Sequence, residues 1–294
     1  VKPTLVLGGG TMFSATTPLW YTLSHDNKIC HTGHHKEHHY LYLLANRDRN
    51  TSEIKNIRRK FYDRPLYQKT NEYYKNELYL DPGDWTEEEI DEFFSPEFTL
   101  EKYVRYYQKL SERNPDYPMV ADFSTKNNKI NLQKFEVLKD YFDIKVLIIF
   151  RDPIRRWWSQ CHRMTPNDPG LAFVGRELDG REIKLRLESY YTKVFDKFQS
   201  IFPDTYVIIM EEFFDGKVEP VEKFLGCKIN KIHDNVYWPE LGPKAPRYKG
   251  LKDQWSDTRP LEPELLDIGK KRFYNIYKDF ENRFGYIPEA WHKV

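Results

Sequence analysis

Three short runs carry the residues that could act together on a substrate. The first, residues 5–20, reads LVLGGGTMFSATTPLW. An apolar strand that turns through glycines into a helix leaves backbone N–H groups facing the turn. The helix dipole adds partial positive charge at the same place, which suits a phosphate or sulfate. Thr16 and Thr17 add hydroxyl donors. The run is not the GxxxxGK[ST] loop of nucleoside triphosphatases, because the lysine and the second glycine are missing. A glycine turn followed by a capped helix is the purely structural alternative.

The second run is RDPIRRWWSQ at 151–160, directly after the apolar KVLIIF at 145–150. A buried strand there delivers Arg151 to its carboxyl end, the edge where open α/β sheets bind ligands. Pro153 suits the first turn of a following helix. Ser159 on that helix can turn its hydroxyl toward the pocket of Arg151, and a guanidinium with a hydroxyl is a sensible clamp for a terminal phosphate. Trp157 and Trp158 read as packing residues, one of which could stack on a ring. An Arg–Asp surface turn is the structural alternative. The third run is HTGHHKEHHY at 31–40. His34 with His38, and His35 with His39, are four apart and could bind zinc if helical. The order H-E-x-x-H is absent, a solvated polar loop is the alternative, and no metal is expected.

These runs, in this order, resemble the sulfotransferases that use 3′-phosphoadenosine-5′-phosphosulfate (PAPS). Phe13, Ser14, Ala15, Thr16 and Thr17, with Leu19, resemble the 5′-phosphosulfate loop K-x-G-T-T-x-L. Phe13 stands at the family lysine and Ala15 at the family glycine. Arg151, Pro153, Arg155 and Ser159 match the 3′-phosphate motif R-[DN]-P-x-x-R-x-x-S, including its eight-residue spacing. Lys36, Glu37, His39 and Tyr40 resemble the K-E-x-H-[FY] segment of heparan-type carbohydrate sulfotransferases. Arg247, Tyr248, Lys249 and Gly250 resemble the basic loop that covers the 3′-phosphate. Residues 121–126 stand where relatives carry G-E-K-[ST]-P, with Lys126 expected to face solvent. Residues 205–226 resemble a late strand and helix ending in F-L-G, read as scaffold.

The resemblance implies a P-loop nucleotide-hydrolase-like sulfotransferase fold and an enzyme. PAPS would be the donor, PAP the product, and a hydroxyl-bearing acceptor, a glycan, the partner. Glu37 would be the general base, since a carboxylate beside a lysine and histidines can be tuned for proton removal. His39 would orient it or replace it, and Lys36 could supply charge missing at Phe13. A catalytically weak PAPS- or PAP-binding module is the alternative that tolerates Phe13. A P-loop-type kinase is a further one, which ATP binding and magnesium dependence would reveal.

The elements that must position these runs follow from pattern. The chain has 294 residues, enough for one large α/β domain and a substantial core. Short apolar runs at 4–7, 29–31, 119–122, 145–150 and 205–210 read as strands. Helices are expected at 14–23 (capped by Ser14 or Thr16), 100–110, 132–141, 155–164, 183–202, 218–225 and 262–284. Continuous apolar strands alternating with helices imply a mainly parallel sheet covered on both faces, a three-layer α/β fold. Residues 1–294 read as a single domain. A substrate-side insertion spans about 46–118, irregular with short helices over 46–98, and 228–260 read as loop.

Lys and Arg total 46 and Asp and Glu 45, so the net charge is +1. That near-balance gives no general pull toward nucleic acid or anionic membrane, and any anion site must be local. Cys30, Cys161 and Cys227 are far apart and odd in number, which makes neither a disulfide framework nor a zinc cluster. A reducing, cytoplasmic location is the expectation. No run reaches membrane-spanning length. The start, VKPT, is not a signal peptide and lacks a Met, which leaves a removed leader or anchor open.

Overall fold

Five apolar segments hydrogen-bond side by side as parallel strands in the order β2-β3-β1-β4-β5. They are β1 (Thr4–Gly8), β2 (Cys30–His31), β3 (Met119–Asp122), β4 (Asp143–Phe150) and β5 (Thr205–Ile209). The computed structural model describes residues 2–10, 14–33, 38–49, 51–62, 85–95, 97–164, 190–232 and 263–291. β1 is central, with Thr4 opposite both Met119 of β3 and Asp143 of β4. β4 continues into β5 through pairs that end at Phe150 and Ile209.

Side chains alternate across a strand, so a strand buried on both faces must be apolar at every position. In β4, Val146, Ile148 and Phe150 enter one core, and Leu147 and Ile149 enter the other. β1 divides likewise, Leu5 and Leu7 to the first core and Val6 to the second. The first core lies under α2 (Tyr40–Ala45), α3 (Ser52–Tyr62), α4 (Glu87–Phe94), α5 (Leu100–Arg113), α6 (Pro153–Met164), α7 (Tyr191–Gln199) and, later in the chain, α10 (Pro263–Phe284). The second lies under α1 (Thr16–Trp20), α8 (Met210–Phe214) and α9 (Glu219–Leu225). The result is the three-layer α/β arrangement expected from the strand pattern.

Within the interval 46–118, α3, α4 and α5 are helical. Thr86 starts α4 with a reciprocal capping box to Glu89, and Thr99 caps α5 through the Lys102 N–H. Three expectations need correction. Residues 132–140 form a 3-10 rather than an α-helix, started by Asn131, whose side chain accepts from the Gln133 N–H. Met210 leaves β5 and begins α8. The first helix runs from Thr16 and widens into a π turn over Tyr21–Asp26. Trp20 and His25, five apart, meet edge-on there at 4.7 Å between ring centroids. A turn of wider pitch brings residues of that spacing together. Among the described residues, no helix is long and apolar enough to cross a membrane.

Candidate active site

The chain leaves β1 toward β2 on one side of the sheet and leaves β4 toward β5 on the other. The carboxyl ends of β1 and β4 therefore flank a topological switch point, where open sheets of this kind form a binding crevice. The glycine loop opens at that point. The Gly9 N–H donates to the carbonyl of Leu147 in β4 at 2.9 Å. A Cβ at Gly9 would stand 2.8 Å from Ile148 Cγ1, and one at Gly10 would stand 2.7 Å from Thr16 Cγ2. Only glycine lets the loop lie this close to both β4 and α1.

Ala15 ends the loop at φ 57° and ψ 35°, in the left-handed region. That conformation disfavours any side chain and explains why a glycine at this position would be at home. Ala15, not Ser14 or Thr16, holds the cap position of α1, and no side chain caps it. The expectation of a Ser14 or Thr16 cap is thus corrected: the left-handed residue makes the turn, and Ser14 is fully buried. Thr16 and Thr17 are half-buried at the start of the helix. Phe13 lies outside the described residues.

Arg151 follows the last paired residue of β4 and is buried. Asp152 caps α6, its Oδ1 accepting the Arg155 N–H at 2.9 Å, and Pro153 begins that helix. Trp157 and Trp158 are buried in the first core. Arg155 is exposed and Ser159 half-buried, one turn apart on the helix face that looks outward. Arg151, Asp152, Arg156 and Gln160 are all buried. Burial pushes the Asp152 carboxyl up to about 6, Glu211 nearby adding to the shift, while bonds from the Arg155 N–H and the Tyr277 hydroxyl oppose it.

His39, near the end of the histidine run, returns to the same edge of the sheet. His39 adopts φ 55° as the residue before α2. Its N–H donates to Ser124 Oγ at 2.8 Å, and the Ser124 N–H donates to Asp122 Oδ1 at 2.9 Å. Asp122 ends β3, opposite Leu7 of β1, and also accepts from the Tyr103 hydroxyl at 3.1 Å. His39 is thereby tied beside the end of β1, on the side away from β4. His38 is buried, with Nε2 3.0 Å from the Thr32 carbonyl oxygen. Burial lowers its pKa against the opposing pull of Asp122. Lys36 and Glu37 lie outside the described residues, as do Arg247, Tyr248, Lys249 and Gly250.

Lys126 does not face solvent. Its ammonium pairs with the Glu53 carboxylate and stands 5.3 Å from the Tyr42 ring centroid. Burial opposes ionisation of Glu53, but the Lys126 partner wins and holds that carboxyl below its ordinary range. In the F-L-G segment Gly226 terminates α9 at φ 76°, and Lys145 of β4 donates to the Phe224 carbonyl at 2.7 Å. Among the described residues no group of three or more His, Cys, Asp or Glu side chains is arranged to hold a metal ion.

Sequence reading gave no role to Tyr191 or Tyr277, and it took in Asp122, Ser124 and Glu211 only as parts of the segments 121–126 and 205–226. Asp152 carried a local signal, an acidic residue directly before a helix-starting proline.

No family model matches the chain, and no curated protein matches it. Among solved structures, a sulfotransferase from Alicyclobacillus acidocaldarius superposes with a TM-score of 0.51 at 16% identity, over 99% of each chain. The sulfotransferase domain of the Synechococcus PCC 7002 olefin synthase gives a TM-score of 0.44 at 13% identity, over 92% of this chain and 94% of that one. The first likeness shows a shared fold.

Proposed function

We propose that this protein is a PAPS-dependent sulfotransferase whose acceptor is a hydroxyl, in our reading a carbohydrate hydroxyl. One observation carries the reading. The Arg–Ser run that resembles a 3′-phosphate motif begins at the carboxyl end of β4, beside the glycine loop that leaves β1. Two stretches over a hundred residues apart, each suited to an anion, thus meet at one edge of the sheet, where folds of this kind bind ligands.

In this reading the 5′ phosphosulfate lies over residues 10–17, and the 3′-phosphate meets Arg151, Ser159 and the basic stretch Arg247, Tyr248, Lys249 and Gly250. Glu37 takes the proton of the acceptor hydroxyl, with His39 orienting it. The acceptor oxygen forms a bond to sulfur as the bond from sulfur to the bridging phosphate oxygen breaks. The electron pair leaves with PAP. Positioning and electrostatics do most of this work, as in phosphoryl transfer. Lys36 supplies positive charge near the departing oxygen in place of the family lysine. No step is assigned to a metal ion.

The first experiment is calorimetric titration with PAP without added metal, alongside Arg151→Ala. Loss of a charge-assisted phosphate contact should weaken PAP binding by about 10-fold or more. A folded wild-type protein that binds no PAP would sink the reading. Phe13 at the family lysine favours one alternative, a module that binds PAP but turns PAPS over poorly. Release of PAP from PAPS in the presence of candidate glycans separates the two. Glu37→Gln should abolish that release while sparing PAP binding.

A further inference from the structure

The peptide group joining Arg151 to Asp152 is bonded at both of its polar atoms. The Tyr191 hydroxyl donates to the Arg151 carbonyl, and the Asp152 N–H donates to Glu211 Oε1 at 3.0 Å. Each partner is itself fixed. The Tyr191 ring stacks on Phe150, with centroids 4.2 Å apart and planes 17° apart. The other oxygen of Glu211 accepts from Trp291 Nε1 at 3.0 Å, and Trp291 lies in a 3-10 turn, Glu289–Trp291. Asp152 is secured as well, its Oδ2 accepting from the Tyr277 hydroxyl of α10 at 2.9 Å.

Arg151 lies just past the last pair of the β4–β5 ladder, so the sheet no longer dictates its backbone direction. A residue past the end of a ladder normally has freedom there, with polar groups turned to water. Here α7, α8, α10 and the final 3-10 turn replace both the ladder and the water. The guanidinium stands at the end of a long side chain, so a small rotation of this peptide is magnified at any anion it touches. Sub-ångström placement matters for such contacts.

We infer that Tyr191 and Glu211 are positioning residues, which aim Arg151 at the anion in the crevice and touch no substrate themselves. The inference rests on the proposed role of Arg151 as a nucleotide-phosphate ligand. It also gives the C-terminal helix and turn a part in nucleotide binding, through Tyr277 and Trp291.

The test is a double-mutant cycle read by calorimetric titration with PAP, with urea unfolding run on every variant. Tyr191→Phe removes one hydroxyl and keeps the ring stack on Phe150. It should weaken PAP binding about 5- to 10-fold when Arg151 is present. In an Arg151→Lys background, whose flexible ammonium acts as a point charge, the same change should weaken binding less than about 2-fold. Glu211→Gln, which keeps one carbonyl acceptor, should show the same dependence on Arg151 with a smaller loss. A Tyr191→Phe protein that is less stable but binds PAP as wild type overturns the inference. So does an equal loss in both backgrounds, since the hydroxyl would then act on the fold and not on the arginine. If wild type itself binds no PAP, the assignment of Arg151 falls and the positioning role falls with it.

Discussion

At the end of β4 one peptide group is tied by the side chains of Tyr191 and Glu211, residues brought from far along the chain, whereas at the end of β1 a backbone bond from Gly9 to Leu147 is joined by close steric fit. There Gly9 and Gly10 allow close approach to β4, and Ala15 turns the chain in a left-handed conformation without a side-chain cap. The turn before α2 is intermediate: His39 is left-handed too, but its N–H is secured by Ser124. Hydrogen bonds from distant elements resist displacement but leave buried polar groups stranded when one partner is lost. The left-handed turn at Ala15 does not depend on a side-chain cap. It instead stores strain that a better-fitting residue can release. Two neighbouring strand ends are therefore expected to respond to substitution in opposite directions.

The largest effect should come from removing a shared acceptor. Glu211→Ala strands the Asp152 N–H and the Trp291 N–H together, and unfolding in urea should show a loss of about 3 kcal/mol or more. Ser124→Ala strands a single buried N–H, that of His39, and should lose about 1–2 kcal/mol. Equal losses would mean that the turn before α2 is held as firmly as the end of β4, and its intermediate place in the comparison would be lost.

A second probe is pH. The Asp152 carboxyl titrates near 6 in the folded protein, above its ordinary 3.8, because burial disfavours its charge. The folded state thus keeps this proton longer than the unfolded chain. The stability so contributed is fully present below about pH 4 and is lost as pH rises through about 6. Asp152→Asn can still cap α6 and does not titrate. Its stability relative to wild type should therefore climb between pH 4 and pH 6 and then level off. A difference that stays flat from pH 4 to pH 7 would show that burial does not shift this carboxyl.

The smallest effect tests the steric side. Ala15→Gly should stabilise the protein by about 0.5–1 kcal/mol. It relieves about 1–2 kcal/mol of left-handed strain, partly offset by the greater freedom of glycine in the unfolded chain. Destabilisation would show that Ala15 packs usefully enough to outweigh its backbone strain.

Local pattern was enough to find β1, β3 and β4, because a strand buried on both faces must be apolar throughout. It was also enough to find Arg151 with its helix-starting Asp152 and Pro153, because strand end, cap and proline lie within three residues. It was not enough for the π turn at Tyr21–Asp26, whose aromatic residues read equally well at helical pitch. Nor could it find Tyr191, Glu211, Tyr277 and Trp291. Their hydrogen bonds span 40, 59, 125 and 80 residues, and nothing near any of them marks it among 21 tyrosines, 45 acidic residues and 7 tryptophans. Lys126 failed for a similar reason: its partner, Glu53, is 73 residues away on α3.

The sequence by itself determined the parallel sheet, the glycine turn after β1 and the arginine after β4. Each depends on residue type and on spacing that the backbone reads within a turn or a strand. Only the tertiary structure decided that the β1 loop, the end of β4 and His39 share one edge of the sheet. It alone decided that the Arg151–Asp152 peptide is closed on both sides. Those outcomes depend on strand order and on hydrogen bonds between distant segments, and a buried polar group finds its partner only once the whole chain has packed around it.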